Sequence, residues 1–195
     1  MMKDIKKFKE EVIEGDRIML VPFSLKHLNA PEYISWLCDY DTVKFLNLPE
    51  YWKPIPFEKV EAYVKSMIAS ESNLFFAIIA KDEKKCIGTF KIGGIDWNAM
   101  NVNLGIMIGD SSYWGKGIAS ETFSIAIKYC FEQMNMHKII GGCMEPNIGM
   151  RKVFEKCGFK EEGCFKEQDF LEGKWWDHYH YGLLNQEYNK QKSKS

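Results

Sequence analysis

Residues 111–122 of the chain read SSYWGKGIASET. Gly115 and Gly117 bracket Lys116, two aromatic residues precede them, and an apolar helical pattern begins at once. The first N–H groups of a helix have no internal partners and sit at the positive end of its dipole. Glycines let an anion approach that backbone closely. The stretch could therefore cradle a phosphate, with Lys116 adding charge. Equally, it could do no more than turn the chain from a strand into a helix. It is not a Walker loop, which needs G-x-x-x-x-G-K-[ST]. The dinucleotide fingerprint also fails, because that motif belongs to a parallel βαβ unit and the strands before Gly115 read as antiparallel.

The surrounding elements must position this turn. Arg17–Phe23 reads as a first strand. Ser24 can cap a helix in SLKHLNAPEYISWLCD, with a break or restart at Pro31. Val60, Tyr63, Val64, Met67 and Ile68 recur at helical spacing behind Pro56. Leu74–Lys81, Cys86–Ile95 and Val102–Gly109 read as three strands of an antiparallel meander, separated by the polar turns DEKK and DWNAMN. From Gly117 the period changes: Ala119, Phe123, Ala126, Ile127, Cys130, Phe131 and Met134 share one face of a helix of roughly five turns. His137–Met144 is the next strand, Asn147 caps a helix that stops at Gly158, and two strands close the chain. The order predicts a mixed α/β (α+β) domain over residues 16–188, with a polar lead-in over 1–15 and a frayed tail over 189–195.

Composition narrows the function classes. The chain has 195 residues, 46% hydrophobic and 27% charged, as expected of one globular domain. Its formal net charge of −1 gives no general electrostatic case for nucleic acid or an anionic membrane. Six cysteines lie far apart with no C-x-x-C pair, which argues against a zinc ribbon or a disulfide scaffold and suits a reducing cytoplasm. The charged start lacks a signal-peptide core, and no run of about 18 apolar residues is present. His178 and His180 alternate on one strand face, but two histidines without a third ligand predict no metal.

WGKGIA (Trp114–Ala119) resembles the acetyl-coenzyme A signature of the GNAT acetyltransferases, Q/R-x-x-G-x-G/A, with Trp114 in place of the usual Gln or Arg. IMIGDSSYWGKGIASE and NIGMRKVFEKCGFKEEG together resemble the branch that includes ribosomal-protein N-terminal and spermidine acetyltransferases, over about residues 17–185. The resemblance implies a mostly antiparallel central sheet of about six to seven strands flanked by helices. It also implies a V-shaped splay between the strands before and after the long helix. Acetyl-coenzyme A would be the donor. Its pantetheine arm would meet Ile106, Met107 and Ile108, and its pyrophosphate the amides of Gly115, Lys116, Gly117, Ile118 and Ala119, with Trp114 also at a coenzyme-binding position. Asn147 and Phe154 fall at coenzyme-binding positions, although Asn147 also reads as a simple N-cap.

The implied reaction is direct transfer: a neutral amine attacks the thioester, and the N–H of Met107 or Ile108 holds the developing oxyanion. Relatives carry Tyr at the position of Phe154, or Ser at that of Met150, and neither Phe nor Met can donate a proton. Asp96 and Glu145 are base candidates, although a polar hairpin tip explains Asp96 as well. Trp97, Asn98, Glu121, Trp52 and Trp176 are substrate-side candidates, with Glu121 also suited to a purely structural role in the first turn of its helix. The expected acceptor is a small-molecule primary amine, foremost the amino group of a nucleotide-linked amino sugar in surface-polysaccharide synthesis. A protein N-terminus and a polyamine are the alternatives, and a non-catalytic coenzyme-binding protein is the other class. The closing strands could pair in a homodimer.

Overall fold

The strands of the computed structural model are β1 (Ile13–Glu14), β2 (Ile18–Pro22), β3 (Leu74–Ala80), β4 (Lys85–Asp96), β5 (Asn101–Ile108), β6 (Lys138–Met144), β7 (Lys160–Leu171) and β8 (Lys174–Leu184). The helices are α1 (Leu25–Leu28), α2 (Pro31–Cys38), α3 (Tyr40–Val43), α4 (Phe57–Ala69), α5 (Ile118–Lys128), α6 (Ile148–Lys156) and α7 (Asn185–Lys192). The structure describes residues 5–46, 53 and 55–193.

All eight strands form one sheet in the order β1-β2-β3-β4-β5-β6-β8-β7. Every neighbouring pair is antiparallel except β5–β6. That parallel pair is joined only at Asn101↔Lys138, Val102↔Ile139 and Asn103↔Ile140. Beyond it the two strands part, so Leu104–Ile108 and Gly141–Met144 face one another across an open V. The expected splay is therefore present.

One more strand forms than the pattern predicts. Ile5, Phe8 and Ile13 are spaced among charged residues yet are buried, and Ile13–Glu14 pairs with β2. The lead-in thus packs on the core, with Phe8 stacked on Trp97 at 5.9 Å. The tail differs too. Helix α7 runs to Lys192 because Tyr188 packs on Phe131 at 5.2 Å and Lys192 pairs with Glu132 at 2.8 Å.

Two cores flank the sheet. On one face Phe123 of α5 meets Phe90 of β4 edge-on at 5.5 Å and Phe154 of α6 at 5.7 Å. On the other, Leu28, Tyr33, Trp36, Val60 and Val64 of α1, α2 and α4 pack with Ala77 and Met107. Helix α5 ends in a π-turn over Tyr129–Gln133, which completes the long helical stretch. No helix among the described residues is long and apolar enough to cross a membrane.

Candidate active site

The V opens into a cleft of about 1300 Å³ that runs from α6 and the glycine turn, through the split sheet, to α2–α4. Its floor is aromatic. Phe154 is 1% exposed and stacks on Tyr181 with centroids 4.6 Å apart. Gly141 is what admits that ring: a Cβ there would lie 2.6 Å from Phe154 Cε1. Phe154 therefore lines the cleft as a packed floor and not as a proton donor.

The upper edge is the glycine turn. Gly115 and Gly117 have φ of +71° and +79°, the left-handed region that favours glycine, and helix α5 starts at Ile118. Space around Gly115 is open to at least 4 Å from an added Cβ. Trp114 donates its indole N–H to the Ile108 carbonyl at 2.8 Å, which ties the end of β5 to the turn. Lys116 does not line the cleft, and its ammonium lies over the Tyr113 ring at 5.7 Å.

Arg17 pins the turn from behind, a role the motif does not reveal. Its guanidinium donates to the Lys116 carbonyl at 2.9 Å and to Glu121 at 2.7 Å. Glu121 also accepts the backbone N–H groups of Arg17 and Ile18. Burial would raise the Glu121 pKa, but these Arg17 and Ile18 donors hold it below the ordinary glutamate value. Its stabilising contribution is therefore full above that ordinary value and fades as pH falls through the depressed one. Glu121 lies off the cleft and acts structurally. Glu121→Ala leaves two backbone donors unpaired, so we expect a drop in Tm of roughly 3–8 °C. Calorimetry checks the drop, and a coenzyme A titration should show weaker binding because the turn loses its anchor.

The ladder decides which strand groups face the V. Gly109 N–H donates to the Ile87 carbonyl, and β4 pairs Gly88↔Ile108 and Thr89↔Met107. In an antiparallel pair, successive residues turn their backbone groups to opposite sides. Met107 N–H is thus directed to β4, whereas the N–H groups of Ile106 and Ile108 point into the V. Of the two expected oxyanion donors, only Ile108 has that orientation. Asn147 caps α6 by accepting the Met150 N–H at 3.1 Å and also lines the cleft. Its two roles coexist.

The hairpin candidates sit elsewhere. Asp96 pairs with Asn101 at the closed end of the V and caps its own turn through the N–H groups of Asn98 and Ala99. Met107 lies six positions along β5 from Asn101, roughly 20 Å of strand. Asp96, Trp97 and Asn98 do not line the cleft. Glu145 follows Met144 on the opposite face, beside Tyr179, with its N–H on the Asp177 carbonyl. Trp176 lies near the β7–β8 turn, donating to the Leu171 carbonyl, and also stands outside the cleft. Trp52 lies outside the described residues.

The cleft instead gains His178. On β8 it shares the face of Gly142 and Met144, and its Nε2 lies 2.6 Å from where a Gly142 Cβ would stand. Its Nδ1 is 2.6 Å from Oδ2 of Asp169, a carboxylate only 6% exposed. Among the described residues, no group of three or more His, Cys, Asp or Glu side chains forms a metal site.

A split, mostly antiparallel sheet with a left-handed glycine turn at the mouth of the split defines an acyl-transfer enzyme. The chain belongs to the GNAT acetyltransferases: residues 17–160 match the family's acetyltransferase domain. It is 30% identical over 171 residues to the uncharacterised N-acetyltransferase YnaD of Bacillus subtilis, covering 81% of this chain and 92% of that one. It is 29% identical over 108 residues to the [ribosomal protein uS5]-alanine N-acetyltransferase of Escherichia coli, 55% of each chain. The fold matches spermidine N-acetyltransferase of Vibrio cholerae, solved with CoA and spermine, at a TM-score of 0.78 and 22% identity over 89% of this chain and 98% of that one. The chain is an N-acetyltransferase of the branch that holds ribosomal-protein and spermidine enzymes.

Proposed function

We propose that the enzyme transfers acetyl from acetyl-coenzyme A to the primary amine of a nucleotide-linked amino sugar. The site's donor half fits the coenzyme: positive-φ glycines leave open space at a helix start, and β5 offers unpaired backbone groups along the V. Acetyl-coenzyme A, when bound, supplies the acetyl group as an activated thioester. Ile108 N–H is oriented to hold the oxyanion that develops during attack, and Asn147 and the glycine turn hold the donor in place.

One observation carries the acceptor reading, the charge of the acceptor half. Among the described residues, Lys44, Lys53, Lys59 and Lys91 line it against a single carboxylate, Asp41, which is already paired with Lys44 at 2.6 Å. Lys91 is half-buried on the same face as Met107 and makes no ion pair among the described residues. A polyamine is polycationic and calls for carboxylates there, whereas a nucleotide diphosphate calls for lysines. Tyr33, Phe45, Tyr63 and Phe75 add apolar ring faces for a sugar or base.

Thiol release from acetyl-coenzyme A with a panel of amines tests this reading. Nucleotide-linked amino sugars should give the highest kcat/KM, above spermidine and alanine-terminated peptides. Lys91→Glu should raise KM for the nucleotide-linked acceptor about 10-fold or more while leaving coenzyme A affinity intact. Preference for spermidine, strengthened by Lys91→Glu, would reverse the assignment.

A further inference from the structure

We infer that His178 is the general base of the reaction and that the buried Asp169 positions it. The inference rests on acetyl transfer to an amine, not on which amine is the acceptor.

The geometry is specific. A carboxylate 2.6 Å from Nδ1 selects the tautomer whose proton is on Nδ1, leaving a lone pair on Nε2. Nε2 stands over Gly142, on the arm of the V across from Ile106 and Ile108. A larger residue at position 142 would collide with the imidazole, with Nε2 at 2.6 Å and Cδ2 at 3.3 Å from its Cβ. The ring therefore faces the space where an amine would meet a thioester held along β5. His180, the other histidine of the strand, lies 5.0 Å from His178 and has no carboxylate partner among the described residues.

The strand is built to deliver this pair. β7 and β8 match Phe165↔His178 and then Asp169↔Trp176, so Lys166, Glu167 and Gln168 bulge opposite Asp177 alone. Glu167 takes a φ of +50°. Asp177 fastens the bulge by accepting the Glu167 N–H at 3.0 Å and the Lys166 ammonium at 2.7 Å. Without the two extra residues, position 167 would stand opposite Trp176 and Asp169 would lie farther along, beyond reach of His178. Bulges that re-aim a side chain beside a catalytic cleft are a recurrent device.

In the step, the amine nitrogen bonds to the acetyl carbon and its surplus proton passes to Nε2. The carbon–sulfur bond then breaks, the electron pair leaves with the coenzyme A sulfur, and the proton on Nε2 is released to that thiolate or to solvent. The products are the amide and free coenzyme A, and His178 returns to its starting state. Asp169 steadies the transient imidazolium without itself taking the proton.

His178→Ala should lower kcat about 10²- to 10⁴-fold on every amine the wild type acetylates, with KM and the coenzyme A Kd unchanged. Added imidazole should restore part of that loss. Asp169→Asn should lower kcat less and leave KM unchanged. Wild-type kcat in His178→Ala, or a loss that imidazole does not touch and that follows a fall in Tm, overturns the assignment. Failure of the sugar panel with turnover of another amine would discard the acceptor and leave this comparison intact. Nitrogen-15 spectra of the free enzyme give an acceptor-independent check: the Nδ1–H tautomer of His178 is expected, lost in Asp169→Asn, and an Nε2–H tautomer overturns the inference.

Discussion

Gly117→Glu is expected to raise the coenzyme A Kd at least about 100-fold, a loss of about 2.7 kcal/mol, in a calorimetric titration. Two effects add. Gly117 sits at φ +79°, where any side chain is strained by about 1–2 kcal/mol. The new carboxylate would also stand at the first free amides of α5, where it satisfies the helix dipole in place of an anionic ligand. Arg17 cannot absorb the charge cheaply. Its Nη2 lies 3.6 Å from the Cβ position, but its guanidinium already serves Glu121 and the Lys116 carbonyl. A carboxylate that captured Arg17 would release Glu121 and loosen the turn by a second route. Gly117→Ala separates the effects: it carries the strain without the charge and should weaken binding only several-fold. Lys116→Ala should do less still, because the Lys116 ammonium is turned over Tyr113 and away from the cleft. Normal binding by Gly117→Glu would mean that the turn holds no phosphate.

What was legible in the sequence follows from how local each signal is. The glycine turn, the strand before it and the helix after it are adjacent in the chain, so residue type and period specify them together. The splay also followed once the family resemblance was drawn from WGKGIA and NIGMRKVFEKCGF. The oxyanion donor was legible only to within a residue, because the side of a strand to which an N–H points depends on register, here fixed by Gly109 bonding to Ile87. Asp96 is a base candidate only as a carboxylate in a polar turn, and those same features suit, and here serve, a side chain that caps its own hairpin. The His178–Asp169 pair was hidden by the bulge. Nine residues apart on different strands, the two meet only because Lys166–Gln168 shift the register. The cluster of lysines in the cleft was hidden for a similar reason: Lys44, Lys59 and Lys91 come from α3 and its flank, α4 and β4, and only tertiary folding gathers them. Arg17 looked like the ordinary start of a first strand, and its hold on Lys116 spans 99 positions.

Phe154→Ala should be strongly damaging to stability and yet mild to chemistry. The ring is 1% exposed and touches Tyr181, Phe123 and Phe159 at centroid distances of 4.6, 5.7 and 5.1 Å. Gly141 leaves no side chain to fill the space that the ring vacates. Loss of a buried Phe costs about 3–5 kcal/mol. At about 2–4 °C per kcal/mol for a domain of this size, Tm should fall by roughly 6–20 °C in a calorimetric scan. The cavity would also undercut the floor of the V, so KM for acetyl-coenzyme A should rise. The turnover number tells a different story. Phe154 carries no proton, so kcat measured well below the variant's Tm should fall far less than in His178→Ala. If kcat instead collapsed in the folded variant, the ring would be shaping the reacting geometry itself, and the division between a passive floor at Phe154 and an active base at His178 would fail. A large fall in Tm with kcat preserved would locate the proton chemistry on the β8 arm of the cleft, where the imidazole stands, and leave α6 the task of holding the donor and sealing the core beneath it.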